Sequence, residues 1–455
     1  MAISIRKYLA SGCDAATLAF FRLAFGFMML GGLIRFAAYG WIEKFYIKPV
    51  FHFTYYGFEW VKPLGDWTYL LFAVCAVSAF MVAIGFKYRL AIVTFFLTFT
   101  YIELMDKTTY LNHYYFVSVV SFIMIFLPAN AFFSVDAHRN QKLAFSRIPR
   151  WTTDILKLLL GIVYFYAGLA KLNSDWLLHA MPLKIWLPGN MDLPLIGTWL
   201  NQNWMQYAFC WIGAAYDLTI PFLLLNRKTR FWAFLLVIVF HILTKILFPI
   251  GIFPYIMIVA TLIFFGPSFH RGVLGYIRSI FRLPHSLLIM TKEKVQTFDL
   301  PNVMKLNIVI AFVVFQLFFP FRYLLYPDEL FWTEEGFRFS WRVMLMEKAG
   351  YTEFRVVDEA RNAVVHVDNH EFLTAFQEKQ MAFQPDFILE YAHFLHDEFE
   401  KRGIQDPKVF CTSYVALNGR LSQPYIDPKV DLSKQYESFR HKTWILLFND
   451  EIYGF

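Results

Sequence analysis

The sequence predicts a polytopic α-helical membrane protein of about nine transmembrane helices with a C-terminal extramembrane α+β domain. Two observations lead there. Hydrophobic residues make up 58% of the 455 residues, and charged residues only 17%, whereas a soluble domain is nearer about 45–50% apolar and about 25% charged. Apolar runs approaching the roughly 20 residues that cross a bilayer also recur along the first two thirds of the chain, and then stop.

The runs are Ala16–Arg35, Tyr69–Phe86, Leu90–Leu104, Tyr114–Pro128, Ile155–Leu172, Tyr207–Leu225, Phe231–Phe248, Ile252–Phe265 and Leu306–Leu324. The third, fourth and eighth are short. Nine crossings put the N-terminus and the even-numbered loops on one side, with sixteen Lys and Arg against five on the other. The positive-inside rule then places the N-terminus in the cytoplasm and the C-terminal domain outside, as expected for a cell (inner) membrane protein. The first run serves as the insertion signal, with no cleavage site of the usual kind. The net charge of +7 is a topology signal, and no basic stripe interleaved with aromatics points to nucleic acid.

Residues 1–326 form the expected membrane domain and 327–455 the outer one, where Asp328, Glu329, Glu334, Glu335 and Arg338 arrive together. In the tail, FRVVD and AVVHVD alternate as two strands joined by a polar turn. PDFILEYAHFLHDEFEKRG has helical spacing that stops at Gly403, and Asn418-Gly419 centres a hairpin. The segment Arg271–Pro301 is expected to hold a short basic amphipathic helix on the inner membrane surface. Of the four cysteines only Cys411 lies in the tail, so no disulfide is expected there, and no CxxC or HExxH pairing suggests a metal.

The polar residues within the runs carry the chemistry. Lys171 ends the fifth run, and Asp106, Lys107, Asn112 and His113 open the fourth. Asp217 lies midway along the sixth, with His241 and Lys245 in the seventh. With nine crossings all share the outer half of the bilayer. One charge at the centre of a spanning helix costs about 2.5–3.5 kcal/mol, so several together point to a shared polar cavity. Structural readings stand beside this one. Lys171 suits a snorkelling lysine, His113 a solvated helix start, and Asp217 with His241 a buried pair pinning two helices. Arg22 reads as a structural partner or an inner-interface anchor.

Several of these residues lie in motifs of a known family. LAFFRLAFG (Leu18–Gly26), DKTTYLNHYYF (Asp106–Phe116), IVYFYAGLAKLNSDW (Ile162–Trp176), FHILTKILFPIGIFPY (Phe240–Tyr255), FSWRVML (Phe339–Leu345) and YIDPKVDL (Tyr425–Leu432) occur in one order. Over nearly the whole chain they resemble the vitamin K-dependent gamma-carboxylases and their bacterial relatives. The resemblance implies a γ-glutamyl carboxylase coupled to a vitamin K epoxidase. A base deprotonates the reduced naphthoquinone, O2 carries it toward the 2,3-epoxide, and the alkoxide formed on the way removes a γ-hydrogen from a glutamyl side chain. The carbanion then captures CO2. Lys171 falls where the family keeps its catalytic amine, and Asn112 and His113 match the pair supporting the hydroquinone. His241 and Asp217, placed by position in the same outer-half cavity, are expected to help bind the cofactor. Burial in low dielectric disfavours an ammonium, so the implied Lys171 is a free amine beside His113.

Two departures accompany the match. Ala170 stands where animal enzymes carry a second lysine, and Met346, Glu347 and Lys348 stand where they place a histidine and an arginine near the glutamyl substrate. The implied co-substrates are vitamin K hydroquinone, O2 and CO2, without a metal. The implied partners are the lipid bilayer, a quinone and a glutamate-containing exported protein or peptide. Two other readings stay open. One is a quinol-oxidising, epoxidase-like enzyme without carboxylation. The other is a transporter or lipid-binding protein, although no inverted repeat is visible.

Overall fold

A computed structural model describes residues 5–288 and 300–455. After a short helix, Ile5–Leu9, comes a short strand, β1 (Gly12–Asp14), paired antiparallel with β2 (Arg147–Pro149). Asp14 then caps α1 (Ala15–Ala38), its carboxylate accepting from the Ala16 amide at 2.9 Å. α2 (Trp67–Ile84) packs against α1 at Gly26, where a Cβ would lie 2.5 Å from the Ala83 nitrogen. α2 ends at Gly85, whose φ of +66° favours glycine. There the buried Arg22 donates to the Phe133 carbonyl at 2.6 Å, a structural contact.

α3 (Tyr88–Leu104), α4 (Asn112–Phe126), α5 (Trp151–Leu169), α6 (Asn203–Leu225) and α7 (Arg230–Leu247) follow. α8 (Phe253–Thr261) meets α9 (Pro267–Ile280) at a 120° bend, where Gly266 precedes Pro267 at the first helical position. α10 (Leu300–Phe318) leads to the tail. A helix thus stands at each of the nine apolar runs, but among the described residues six are long and apolar enough to cross a membrane, or seven if α8 with α9 is one broken span. α3 has 17 residues and α4 only 15. The chain is a multi-pass membrane protein, and nine crossings are not established. The amphipathic helix expected after Arg271 begins earlier, at Pro267. It buries His270 and Leu274 and exposes Tyr276 and Ile280. Residues 289–299 of that segment, including Lys292 and Lys294, lie outside the described residues.

The tail is α+β. Its antiparallel sheet has the order β4-β3-β5-β6: β3 is Lys348–Asp358, β4 Ala363–His366, β5 Lys408–Leu417 and β6 Gln423–Pro424. Phe354 faces Cys411 across the β3–β5 ladder. The turn after β5 has φ of +48° at Asn418 and +78° at Gly419, and the Arg420 amide closes it on Leu417. α11 (Pro385–Lys401) crosses this sheet and stops before Gly403. Its apolar face shares one core with β3, β5 and the loops outside α5 and α7, so Phe354 and Phe387 join Trp176, Leu187 and Phe248. All four cysteines are free.

Candidate active site

The site grows from the end of α5. Gly168 lets α6 approach so closely that a Cβ there would lie 2.7 Å from the Leu218 nitrogen. Lys171, three residues on, lies over the same face. Its Nζ donates to Asp217 Oδ2 at 2.8 Å and to the Ala167 carbonyl at 3.0 Å, and it sits 5.3 Å from the centre of the Trp176 ring. Both partners of this ion pair are nearly enclosed, at 7% side-chain exposure each. Asn173 fixes the turn beyond. Its amide donates to the Ala170 carbonyl and its oxygen caps the next short helix at the Trp176 amide. Asp175 in that helix is held bidentately by Arg420 and by Asn418 Nδ2, at 2.7–2.8 Å. The tail turn therefore fastens the Lys171 segment.

Two apolar chambers adjoin here. The larger, about 370 Å³, is lined by Asn112, His113, Glu103 and Arg35 among aromatic and aliphatic side chains of α1, α3, α4 and α8. The smaller, about 100 Å³, holds Lys171, Asp217, His241 and Tyr164. Ile250, Phe253, Val343 and Met344 line both and form the wall between them. Half of that wall belongs to the FSWRVML segment. Its backbone carries three non-glycine residues at positive φ: Phe339 at +59°, Trp341 at +60° and Met344 at +56°. Such strain persists only where surroundings impose it. Here a polar relay does so: the Phe339 amide donates to Tyr110 Oη, which donates to Asn112 Oδ1, and Asn112 Nδ2 donates to the Arg342 carbonyl at 2.9 Å.

The expected single polar cavity is divided. Asn112 and His113 face the larger chamber, and Lys171, Asp217 and His241 the smaller. Asp217 pairs with Lys171 rather than with His241, whose Nε2 lies 3.0 Å from Tyr164 Oη. The imidazole expected beside Lys171 is not His113, which lines the other chamber with its ring tilted against Phe253 of the wall at 5.6 Å between ring centres. Asp106 and Lys107 turn to the tail, where Lys107 bridges Asp386 and Glu390 at 2.9 Å each. Lys245 lines neither chamber. Glu347 accepts from Trp186 Nε1, and the buried Lys348 ammonium donates to Glu334 at 2.9 Å, so neither charge reaches the chambers. Glu103 and Tyr164 were missed, each standing inside a run read as apolar. Among the described residues no group of His, Cys, Asp and Glu is placed to hold a metal ion.

A family model for the HTTM domain matches residues 11–269, and one for the vitamin K-dependent gamma-carboxylase lumenal domain matches residues 301–451. The chain belongs to the vitamin K-dependent gamma-carboxylase family. No solved structure matches it. For a member of this family, the FSWRVML segment is where the lumenal-domain match lies against the HTTM helices, and the wall between the chambers is built from both.

Proposed function

We propose that this gamma-carboxylase family member is a membrane-embedded γ-glutamyl carboxylase and vitamin K epoxidase-like enzyme using a reduced naphthoquinone, O2 and CO2. The observation that carries the reading is Lys171, enclosed in an apolar chamber against Asp217 and one wall away from a chamber of quinone size. Cavities of about 150 Å³ hold benzene, so about 370 Å³ accommodates a fused two-ring disc and about 100 Å³ does not. The aromatic walls fit a flat apolar ring, while Asn112 and His113 offer polar contacts to its oxygens.

The bound hydroquinone, with O2, supplies the strong base that glutamyl carboxylation needs. The chain's residues do the rest. As Lys171 Nζ takes the hydroquinone proton it passes one of its own to Asp217 Oδ2 at 2.8 Å, so the ion pair ends as a lysine ammonium beside a neutral carboxyl. His113 and the remaining amide valences of Asn112 orient the ring. Met344 is the flexible member of the wall, since its unbranched side chain turns about three bonds, and its movement joins the chambers. The apolar lining keeps water from the amine. In this reading the N-terminus is cytoplasmic, residues 327–455 are extracytoplasmic, and an exported glutamate-containing peptide is the acceptor.

A second reading, quinol oxidation without carboxylation, is favoured by Glu347 and Lys348, whose charges are consumed by Trp186 and Glu334. Purified protein given vitamin K hydroquinone and oxygen should form epoxide, and Lys171→Ala should abolish it. No epoxide from the intact protein, or undiminished epoxide from the variant, would overturn both readings. Incorporation of labelled CO2 into a glutamyl peptide separates the first from the second.

A further inference from the structure

Glu103 faces the larger chamber and plays no part in the reading above. The residue is 7% exposed in the last turn of α3. Oε2 accepts from Ser118 Oγ at 2.6 Å, and Ser118 in turn accepts from Thr100 Oγ1 at 3.2 Å, so that hydroxyl hydrogen is committed to Glu103. Oε1 is buried at the chamber wall with no partner among the described residues, and a small turn of the side chain brings it to the chamber. An orphaned buried acceptor carries a desolvation penalty unless something meets it, and an ionisable side chain within a membrane bundle marks a functional site.

We propose that Glu103 Oε1 accepts the hydroxyl hydrogen of a bound hydroquinone, so that the chamber takes the reduced ring in preference to the oxidised dione. The inference rests on the chamber being the quinol site. A hydroquinone presents O–H donors, whereas a dione presents only carbonyl lone pairs. To an ionised Glu103 the first donates a charge-assisted hydrogen bond, whereas the second opposes lone pair to lone pair. The oxidised product, bearing carbonyls where the substrate had hydroxyls, loses the bond and is released.

The test is equilibrium binding of vitamin K hydroquinone and of the matching dione to full-length protein in detergent, without oxygen so that no turnover intervenes. Tryptophan fluorescence reports it through Trp41 in the chamber lining. The intact protein should bind the hydroquinone about tenfold or more tightly than the dione. Glu103→Gln keeps the acceptor for Ser118 but offers an N–H to a carbonyl, and should bring the ratio to one or below. Glu103→Asp, which withdraws the carboxylate by one methylene, should lower the ratio without reversing it, and serves if the glutamine variant does not fold. An unchanged ratio in a folded variant overturns the role of Glu103 alone. If the intact protein binds neither ligand, the assignment of the chamber fails and this inference with it.

Discussion

At the scale of residues the decisive contact is Lys171 with Asp217. Breaking a buried pair leaves one charge uncompensated, which typically costs about 3–5 kcal/mol, whereas replacing both partners by apolar groups is often neutral. Asp217→Asn is therefore expected to lower the unfolding temperature in detergent sharply. The double variant Lys171→Met, Asp217→Leu should recover most of that loss while forming no epoxide. A wild-type melting temperature for Asp217→Asn would show that the pair is not coupled. Met344→Gly relieves a left-handed residue worth roughly 1–2 kcal/mol but empties part of the wall. Stability should change little, and less epoxide should form per hydroquinone consumed as water reaches Lys171. The residues themselves were legible as polar breaks in apolar runs. Their partners were not, because Lys171 and Asp217 stand 46 positions apart and only tertiary packing joins them. The available signal was Gly168, a small residue on the face of Lys171. Glu103 escaped because it closes a run, where a carboxylate reads as the helix leaving the membrane.

At the scale of elements, α5 and α6 are held in register by Gly168. Gly168→Leu would place side-chain atoms where the Leu218 nitrogen and the Asp217 carbonyl carbon stand 2.7 and 3.1 Å from a Cβ. Overpacking of this kind costs about 1–3 kcal/mol. Because it moves the helices apart, epoxide formation should fall further than stability does. Parallel measurement of the two checks this, and proportionate losses would contradict it. Elements set by local signals were readable: the β5–β6 turn at Asn418-Gly419, the β3–β4 pair and α11 stand where alternation, spacing and turn residues put them. The crossing count was not, because a 15-residue α4 and an α8 broken at Gly266-Pro267 satisfy hydropathy without settling depth.

At the scale of the whole molecule, the tail is anchored to the membrane helices by charge. Burial pushes the Asp386 carboxyl up, but Arg338 and Lys107 outweigh it and hold it below the usual carboxylate range. Arg338 Nη1 lies 2.7 Å away, and Glu390 adds bonds to Lys107 and to the Thr54 amide. A carboxylate depressed on folding stabilises above its unfolded value, near about 4, and loses that contribution as pH falls toward its folded one. Docking should thus hold at neutral pH and loosen below about pH 4, seen as faster proteolysis between residues 327 and 342. Asp386→Asn should loosen it already at pH 7 and flatten the acid step. An identical acid step in the variant would assign it to other carboxylates.

The partition shared by the chambers takes Ile250 from the α7–α8 connection, Phe253 from α8, and Val343 and Met344 from the segment that follows the helices. Ribosomal synthesis delivers the latter pair only after α1–α10 have been made. Until that segment docks, a nascent chain has one open trough in place of two separate rooms, and a polypeptide truncated before residue 343 would carry the Lys171 amine without this partition.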